Sequence, residues 1–213
     1  MQAEFRLHQN PGWGSAIVEA QLAEYGLACV LVEAGDVYGE PARRAALAAL
    51  NPLVQVPVLE LPSGEVMTES AAMTLHLADL AGSDLLVPGP QAPERAAFLR
   101  WLVFIVANIY PTFTYTDIPT RFVADEAAAA AFRTRIEAYA QQLWRQVAEE
   151  AGRQGGPWLL GARFTALDLY LAVMVNWRPG RAWFAAEVPR LLAIAEAAAA
   201  RPAVAPVMAR NFA

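Results

Sequence analysis

Residues 51–73 read NPLVQVPVLELPSGEVMTESAAM. Two short β-rich runs, at 56–59 and 65–67, flank the turn residues at 62–64, which predicts a hairpin of two strands. Pro57 enters the first of these strands without an N–H to donate. We therefore expect an edge or a bend there, and a cis peptide bond is one way to make it.

Residues 1–50 change hydrophobic period several times, as a small mixed α/β domain does. Alternating apolar residues and β-rich runs predict strands, whereas apolar residues three and four positions apart predict helices. Glycines at 26 and 82 suit helix C-termini. The predicted order is βαβ followed by αββα: strands at 5–7 and 29–32, helices at 17–25, 41–50 and 70–80, and the hairpin between the last two helices.

The sequence changes character at residues 85–93, where Pro88-Gly89-Pro90 and Pro93 make the chain stiff and prone to turns. Strand signals are missing after this segment. The helices predicted there cover 94–110, 124–152, 167–176 and 189–200. We therefore predict three parts: a mixed domain at 1–82, a linker at 83–93 and an all-helical domain at 94–213.

The composition excludes several classes of protein. The chain has 213 residues, of which 56% are hydrophobic and 17% charged, with a formal net charge of −5. Intrinsic disorder requires the opposite balance, and nucleic-acid binding requires clustered Lys and Arg. No uninterrupted apolar run approaches the roughly 20 residues that span a bilayer. We expect a soluble, cytoplasmic protein with neither a nucleic-acid nor a membrane partner.

The single cysteine limits the available chemistry. Cys29 cannot form an internal disulfide, a dithiol motif or a thiolate metal cluster by itself. Its predicted strand is buried, which favours an inert thiol. The two histidines, His8 and His76, lack a second ligand at metal spacing. We expect packing or surface roles for them, and no metal site.

Three segments of the first domain would converge if it folds into one sheet with helices on both faces. They are Gly14-Ser15, Gln55-Val56-Pro57 and Thr68-Glu69-Ser70. The first and third open predicted helices, whose unpaired N–H groups and dipole attract negative charge. The pattern therefore favours an anionic ligand at this place.

These motifs resemble one family. The run 51–59, followed by 68–73, is similar to the glutathione-binding half of the glutathione S-transferases. Phe164-Thr165-Ala166-Leu167-Asp168 and Arg201-Pro202-Ala203-Val204 resemble that family's helical half, so the likeness covers the chain. It implies a thioredoxin-like α/β domain followed by an all-α domain, in a bacterial, serine-type-like, cytosolic homodimer. It also implies glutathione as co-substrate.

The resemblance implies how glutathione would be held. Glu69 takes the ammonium of the γ-glutamyl group, while the Ser70 hydroxyl and N–H take its carboxylate at the helix N-terminus. The cysteinyl main chain pairs with Val56, as an added strand does. Gln55 and a cis Pro57 flank that position. These contacts bind and orient the ligand without performing chemistry.

Chemistry requires the thiolate, because the thiol is a poor nucleophile. By resemblance Ser15 is the predicted catalytic donor, although Gly14 falls on the position that cysteine-type members use. Asn10 and Trp13, on the same loop, remain alternatives, and Ser15 could instead be only an N-cap. One hydrogen bond to the charged sulfur supplies about 1.5–3 kcal/mol and the helix terminus about 0.3–1 kcal/mol, which suffices to ionise the thiol. Val54 departs from the glycine that many members carry there.

The first helix of the second half carries an apolar face that ends in Asn108, and Pro111 is predicted to end the helix. By resemblance this helix lines a pocket for an apolar electrophile. Core packing and a capping hydrogen bond explain the same residues. The predicted pocket residues are Trp13, Asn108, Tyr110 and Tyr115.

The sequence from Thr165 to Asp168 has the form of a capping box. Thr165 can accept a hydrogen bond from the third helical N–H, while Asp168 reaches back to the main chain before the helix. Phe164 supplies half of a hydrophobic staple. An acidic residue here invites a catalytic interpretation, but the box explains it, and we predict a structural role.

The function predicted from these features is a detoxifying transferase that joins the glutathione thiolate to an apolar electrophile. A second hypothesis keeps the fold without catalysis, as a binding or scaffold protein. A third uses the same thiolate in a glutathione-dependent peroxidase or disulfide reductase. The sequence does not separate the three, because a pocket selected by shape has no motif.

Overall fold

The computed structural model describes residues 4–213, which form two compact units. The first unit contains residues 4–87 and 198–213, and the second contains 88–197. The domain bounds 1–82, 83–93 and 94–213 stay a prediction. In the structure, residues 198–213 group with the first unit.

A four-stranded mixed sheet forms the centre of the first unit, with strand order β2-β1-β3-β4. β1 runs parallel to β2 and antiparallel to β3, and β3 pairs antiparallel with β4. The predicted order of elements, βαβ followed by αββα, is confirmed. The strands are β1 (Phe5–Gln9), β2 (Cys29–Glu33), β3 (Val58–Glu60) and β4 (Val66–Met67).

Helices cover both faces of the sheet. Neighbouring residues of a strand point to opposite faces, so each face has its own core. Leu59 of β3 belongs to a core that includes Val18 and Met73, whereas Val58 belongs to a second core with Leu47. The first core therefore lies under α1 and α3, and the second under α2. The helices of this unit are α1 (Ser15–Tyr25), α2 (Pro41–Leu50), α3 (Ser70–Ala81) and α10 (Ala205–Phe212), which packs on α1.

Strand β2 differs from its prediction as a buried strand. It lies at the edge of the sheet, and Val30 on it is 38% exposed. Cys29 is only partly buried for the same reason. The apolar composition of the strand was misleading, because an edge strand has one neighbour instead of two.

The second unit is helical in its described residues, as predicted. Two of its helices, α5 and α8, were not predicted, and neither was α10 of the first unit. The helices of the second unit are α4 (Arg95–Phe104), α5 (Tyr110–Asp117), α6 (Glu126–Gln154), α7 (Ala166–Met174), α8 (Arg181–Glu187) and α9 (Pro189–Ala199), the last of which runs into the first unit, together with a 3₁₀ turn at Pro119–Arg121.

The prediction that Pro111 ends its helix is wrong. A π-helical segment, Ile105–Ile109, joins α4 to α5 without a break. In it, the N–H of Tyr110 donates to the carbonyl of Ile105, five residues back. The wider turn shifts the hydrogen-bonding register of the helix just before Pro111. The proline has no N–H that would need an acceptor in the helix.

The capping box at the start of α7 is present as predicted. Asp168 is fully buried and accepts hydrogen bonds from the N–H groups of Leu159 and Thr165, each at 2.8 Å. Burial raises the pKa of Asp168 to about 6, against the lowering effect of these hydrogen bonds. Its surroundings explain the residue without a ligand.

One helical run among the described residues meets the length and composition of a membrane span. It covers Arg95–Asp117, 23 residues, and a third of its most apolar window is buried within the protein. A single run of this kind is weak support for a membrane segment, because core helices of soluble proteins pass the same test.

Candidate functional site

Three segments meet at one end of the sheet in the first unit. The strands pair His8 with Val58 and Leu59 with Met67. β1 ends at Gln9, β3 begins at Val58 and β4 ends at Met67, so the segments that adjoin them leave the sheet at the same end. We call the segments 10–15, 54–57 and 68–70 together the loop edge. The predicted binding segments therefore come from three different parts of the chain to one place.

The main-chain N–H and C=O of Val56 lie at the loop edge. Within residues 4–213, neither its N–H nor its C=O makes a hydrogen bond. The Val56–Pro57 peptide bond is cis, as the sequence suggested. The preceding turn is fixed by Asn51, whose Nδ2 donates to the Gln55 carbonyl at 2.9 Å and whose Oδ1 accepts from the Leu53 N–H at 3.1 Å. An extended ligand could use both free groups of Val56.

Two non-glycine residues of the loop edge adopt left-handed backbone conformations. Val54 has φ 56° and Glu69 has φ 66°. Such conformations cost on the order of 1–3 kcal/mol each, and they concentrate at ligand sites. Val54 is buried at 6% exposure in the core under α2, so its strain is fixed by packing.

Glu69 immediately precedes α3, and its carbonyl accepts from the Met73 N–H at 3.0 Å. Its side chain is exposed and does not cap the helix. Within the part of the chain that the structure describes, its carboxylate has no hydrogen-bond or ion-pair partner. Ser70 is the first residue of the same helix. A free carboxylate and a helix N-terminus therefore stand side by side, which suits a ligand that carries both charges.

The structure turns Ser15 away from solvent. The side chain is fully buried, and its Oγ lies 3.3 Å from both the N–H and the C=O of Asn10, accepting from the first and donating to the second. Gly14 is the N-cap of α1, so the alternative interpretation of Ser15 as an N-cap is wrong. Ser15 instead stabilises the loop that precedes the helix.

The side chain of Asn10 also makes structural hydrogen bonds. Its Nδ2 donates to the Gly35 carbonyl and its Oδ1 accepts from the Gly35 N–H, both at 2.9 Å. This pair ties the end of β1 to the segment after β2. Trp13 is exposed, at 36%, and its ring centroid lies 5.9 Å from that of Tyr38.

The other predicted pocket residues lie in the second unit. Asn108 donates from Nδ2 to the Phe104 carbonyl at 3.2 Å. Tyr110 packs edge-on against Trp177 at 5.6 Å, and Tyr115, which is 37% exposed, packs edge-on against Phe122 at 5.0 Å. All three have internal contacts, so the packing interpretation accounts for them as well as the pocket interpretation does.

The remaining candidates lie outside the loop edge. Cys29 has its thiol pKa raised to about 11 by burial, which keeps the sulfur protonated. His8 donates from Nε2 to Glu60 at 2.6 Å, and this hydrogen bond is the main cause that lowers the pKa of Glu60. Across residues 4–213 there is no group of three His, Cys, Asp or Glu side chains that could hold a metal ion.

Sequence reasoning missed one set of contacts to the loop. The Gly12 N–H donates to Asn211 Oδ1 at 3.0 Å, across 199 residues of sequence. Asn211 lies on α10, which the sequence did not predict. No local signal marks this pair, because neither residue belongs to a motif.

Family models match most of the chain. The model for the N-terminal domain of glutathione S-transferases matches residues 18–80, and the model for the C-terminal domain matches 109–210. An uncharacterized GST-like protein of Escherichia coli K12, YncG, is 37% identical over 206 residues, which cover 97% of this chain and 98% of that protein.

Two solved structures are similar over nearly the whole length. A glutathione transferase homolog from Sulfitobacter with bound glutathione has a TM-score of 0.86 at 22% identity, covering 99% of this chain and 100% of the other. A sphingomonad glutathione S-transferase complexed with glutathione has a TM-score of 0.77 at 27% identity, covering 98% and 100%. The predicted fold, a thioredoxin-like α/β half followed by a helical half, is confirmed.

Proposed function

Because the chain belongs to the glutathione S-transferase family, we propose that it binds glutathione at the loop edge and joins the glutathione thiolate to an apolar electrophile. The observation that carries the proposal is Glu69, which holds a strained left-handed conformation and an unpartnered carboxylate at the start of α3. A conformation of this kind persists only where its surroundings impose it.

The charged and main-chain groups of glutathione match those of the loop edge. Its γ-glutamyl ammonium would pair with Glu69, and the neighbouring carboxylate would meet Ser70 and the N-terminus of α3. The free N–H and C=O of Val56 would pair with the cysteinyl main chain, between Gln55 and the cis Pro57. The sphingomonad relative with bound glutathione supports this class of ligand.

In the proposed reaction the thiol first loses its proton to solvent water. The sulfur lone pair then forms a C–S bond to the electrophilic carbon, and the leaving group departs with the bonding electron pair. If the electrophile is an activated double bond, its far carbon takes up a proton instead. The chain's task is to keep the sulfur ionised and to hold the electrophile in line with it.

Ser15 stays our candidate for stabilising the thiolate, on one condition that the structure adds. Its hydroxyl must release the Asn10 carbonyl and point its proton toward the incoming sulfur. Asn10 and Trp13 remain the alternatives on the loop. For the electrophile we propose a pocket that uses Trp13, Asn108, Tyr110 and Tyr115.

The glutathione site is tested by Glu69→Gln, with Glu65→Gln as a matched control on an exposed residue of the neighbouring turn. Losing a partly exposed charge pair should weaken glutathione binding about three- to tenfold. Isothermal titration of both variants and the wild type measures this. A Glu69→Gln affinity within twofold of the wild type contradicts the proposed site.

The role of Ser15 is tested by Ser15→Ala, measured through the pKa of bound glutathione from thiolate absorbance. If the hydroxyl contacts the sulfur, that pKa should rise by about 1–2 units, because a hydrogen bond to a charged acceptor supplies about 1.5–3 kcal/mol. An unchanged thiol pKa with a lowered melting temperature assigns Ser15 to the loop alone.

A non-catalytic binding protein is the second candidate function, and the full burial of Ser15 favours it. It predicts glutathione binding without turnover. Conjugation assays with aromatic halides and a peroxide-reduction assay, in which two glutathione molecules are oxidised to the disulfide, separate the possibilities. Turnover of peroxide alone favours the peroxidase hypothesis.

Three further properties follow from the family and are proposals for this chain: a homodimer, a cytoplasmic location and a detoxifying role. Sedimentation measures the first, since twice 23.1 kDa gives a 46.2 kDa dimer. Cell fractionation measures the second. Sensitivity of a deletion strain to electrophiles measures the third.

A further inference from the structure

Helix α10 contacts the loop at 10–14 through one asparagine. Asn211 is 9% exposed, and its Oδ1 accepts from the Gly12 N–H at 3.0 Å. Its Nδ2 donates to Glu19 at 3.0 Å and to the Val207 carbonyl at 2.9 Å. The two ends of one amide group therefore join the loop, α1 and α10.

Glu19 extends this connection into α1. Its side chain is 7% exposed, and it also forms an ion pair with Arg210. A carboxylate so deeply buried requires partners, and here both come from α10. Glu19 lies four residues after Ser15, hence one turn along the same face of the helix. Contacts from α10 thus fix both the first turn of α1 and the loop before it.

Gly12 packs directly against α10. Its φ of +76° is left-handed, which glycine adopts without strain. A Cβ added there would lie 3.3 Å from the Asn211 carbonyl oxygen and 3.7 Å from Phe212 Cε1. A side chain at position 12 would therefore crowd the end of α10.

We propose that Asn211 is a positioning residue, which holds the loop at 10–14 and the start of α1 in the arrangement that receives the glutathione sulfur. The inference rests on the proposed function, since the loop carries Asn10 and Trp13 and α1 begins at Ser15. Asn211 itself does not touch the ligand. It acts by fixing Gly12 on one side and Glu19 on the other.

The chain offers a matched control for this proposal. Arg201 forms a bidentate ion pair with Glu24, at 2.7 and 2.8 Å, and the Glu24 side chain is 5% exposed. This pair also joins α1 to the C-terminal segment, but near the far end of the helix. Glu24→Gln should lower stability without loosening the loop.

The test compares Asn211→Ala, Glu24→Gln and the wild type by hydrogen exchange and by glutathione binding. Without its acceptor on Asn211, the loop at 10–14 should exchange about tenfold faster, the ratio expected for losing one hydrogen bond. The pKa of bound glutathione should rise by roughly half a unit. Both values should stay at the wild-type level in Glu24→Gln.

A rescue variant separates positioning from general damage. Asn211→Asp keeps the acceptor for Gly12 but places a second carboxylate against Glu19, so it should loosen the loop. The double variant Glu19→Gln/Asn211→Asp reverses the two groups, and the new Gln can donate to the new Asp. We expect slow exchange and the wild-type thiol pKa to return in the double variant.

Three results would overturn the proposal: unchanged loop exchange in Asn211→Ala, faster exchange with an unchanged thiol pKa, or equal effects in Glu24→Gln. Failure of the proposed function looks different, because the wild type itself then fails to bind glutathione. In that case the positioning role fails with it, before any variant is compared.

Discussion

Among single residues, Asp168 is a buried carboxylate with a structural role. It accepts from the N–H groups of Leu159 and Thr165 and from the Thr165 hydroxyl, so both oxygens are used. Leu159 belongs to the segment that precedes the capping box. Asp168 therefore links the segment at Leu159 to the start of α7.

Asp168→Ala should destabilise the protein by about 2–4 kcal/mol, because it leaves buried N–H groups without acceptors. Asp125→Ala is the matched control, since Asp125 caps the exposed start of α6 by accepting from Ala128 at 2.8 Å. Its loss should cost about 1 kcal/mol. Urea unfolding at pH 7 measures both variants, and equal losses would contradict the interpretation.

The pH dependence of Asp168 has an unusual sign. Because burial raises its pKa from 3.8 to about 6, the folded state binds more protons than the unfolded state between these values. The stability that Asp168 adds relative to Asp168→Ala should therefore be larger at pH 4 than at pH 7. Unfolding at both pH values tests this, and an advantage that grows with pH would refute it.

Cys29 should be nearly inert at neutral pH. With its pKa raised to about 11, the thiolate fraction at pH 8 is roughly a hundredfold below that of a thiol with the ordinary value of 9.0. Alkylation by iodoacetamide should be slow at pH 8 and accelerate up to about pH 11. Rapid labelling at pH 7 would show a reactive thiol.

Single residues were predictable where a motif marks them. The cis bond before Pro57 was expected from a proline that enters a strand, and the structure has it. The roles of Glu69 and Ser70 came from the family resemblance and stay predictions. Ser15 lies at the start of the first helix, as expected, and its catalytic role stays a prediction. Its burial was not foreseeable, because the orientation of a side chain in the first turn of a helix depends on the loop before it.

At the scale of elements, the join between α4 and α5 combines a π-helical segment, a proline and Asn108. The Nδ2 of Asn108 donates back to Phe104, at the start of the wider turn. The side chain thus adds a hydrogen bond where the helix changes register. This contact gives Asn108 a structural role beside its predicted place in the electrophile pocket.

Asn108→Ala separates the two roles. If the residue only stabilises the π-helical segment, unfolding should cost about 1 kcal/mol less and the KM for the electrophile should not change. Thr134→Ala is the control, because Thr134 makes a similar bond to Ala130 at 3.1 Å on a regular, exposed helix. A several-fold rise in KM at unchanged stability would place Asn108 in the pocket.

Long periodic helices and the hairpin were predictable from apolar spacing. The unpredicted elements have two physical reasons: α5 carries a proline in its first turn, where a helix was expected to stop, and α8 and α10 are only seven and eight residues long. Helices this short depend on tertiary contacts rather than on their own propensity. Their patterns are correspondingly weak.

At the scale of the whole molecule, the C-terminal segment completes the first unit. Val204 and Val207 are buried, and α10 supplies both partners of Glu19. The sequence prediction assigned this segment to the helical half, because nothing local shows which half a short helix joins.

A chain that ends at residue 203 should therefore lose roughly 3–6 kcal/mol from its two buried valines, beyond the lost ion pair. A chain that ends at residue 212 is the control, since Ala213 is exposed. Thermal unfolding of both measures the difference. Equal melting temperatures would show that α10 adds nothing to the first unit.

The contact between Glu19 and α10 also orders events during translation. Domains usually fold as they emerge, the N-terminal one first. Here the nascent first unit has a carboxylate to bury long before residues 210 and 211 have been synthesised, and burying it alone is unfavourable. The first unit should thus stay open on the ribosome, and the loop edge should take its final form only after residues 210 and 211 have been synthesised.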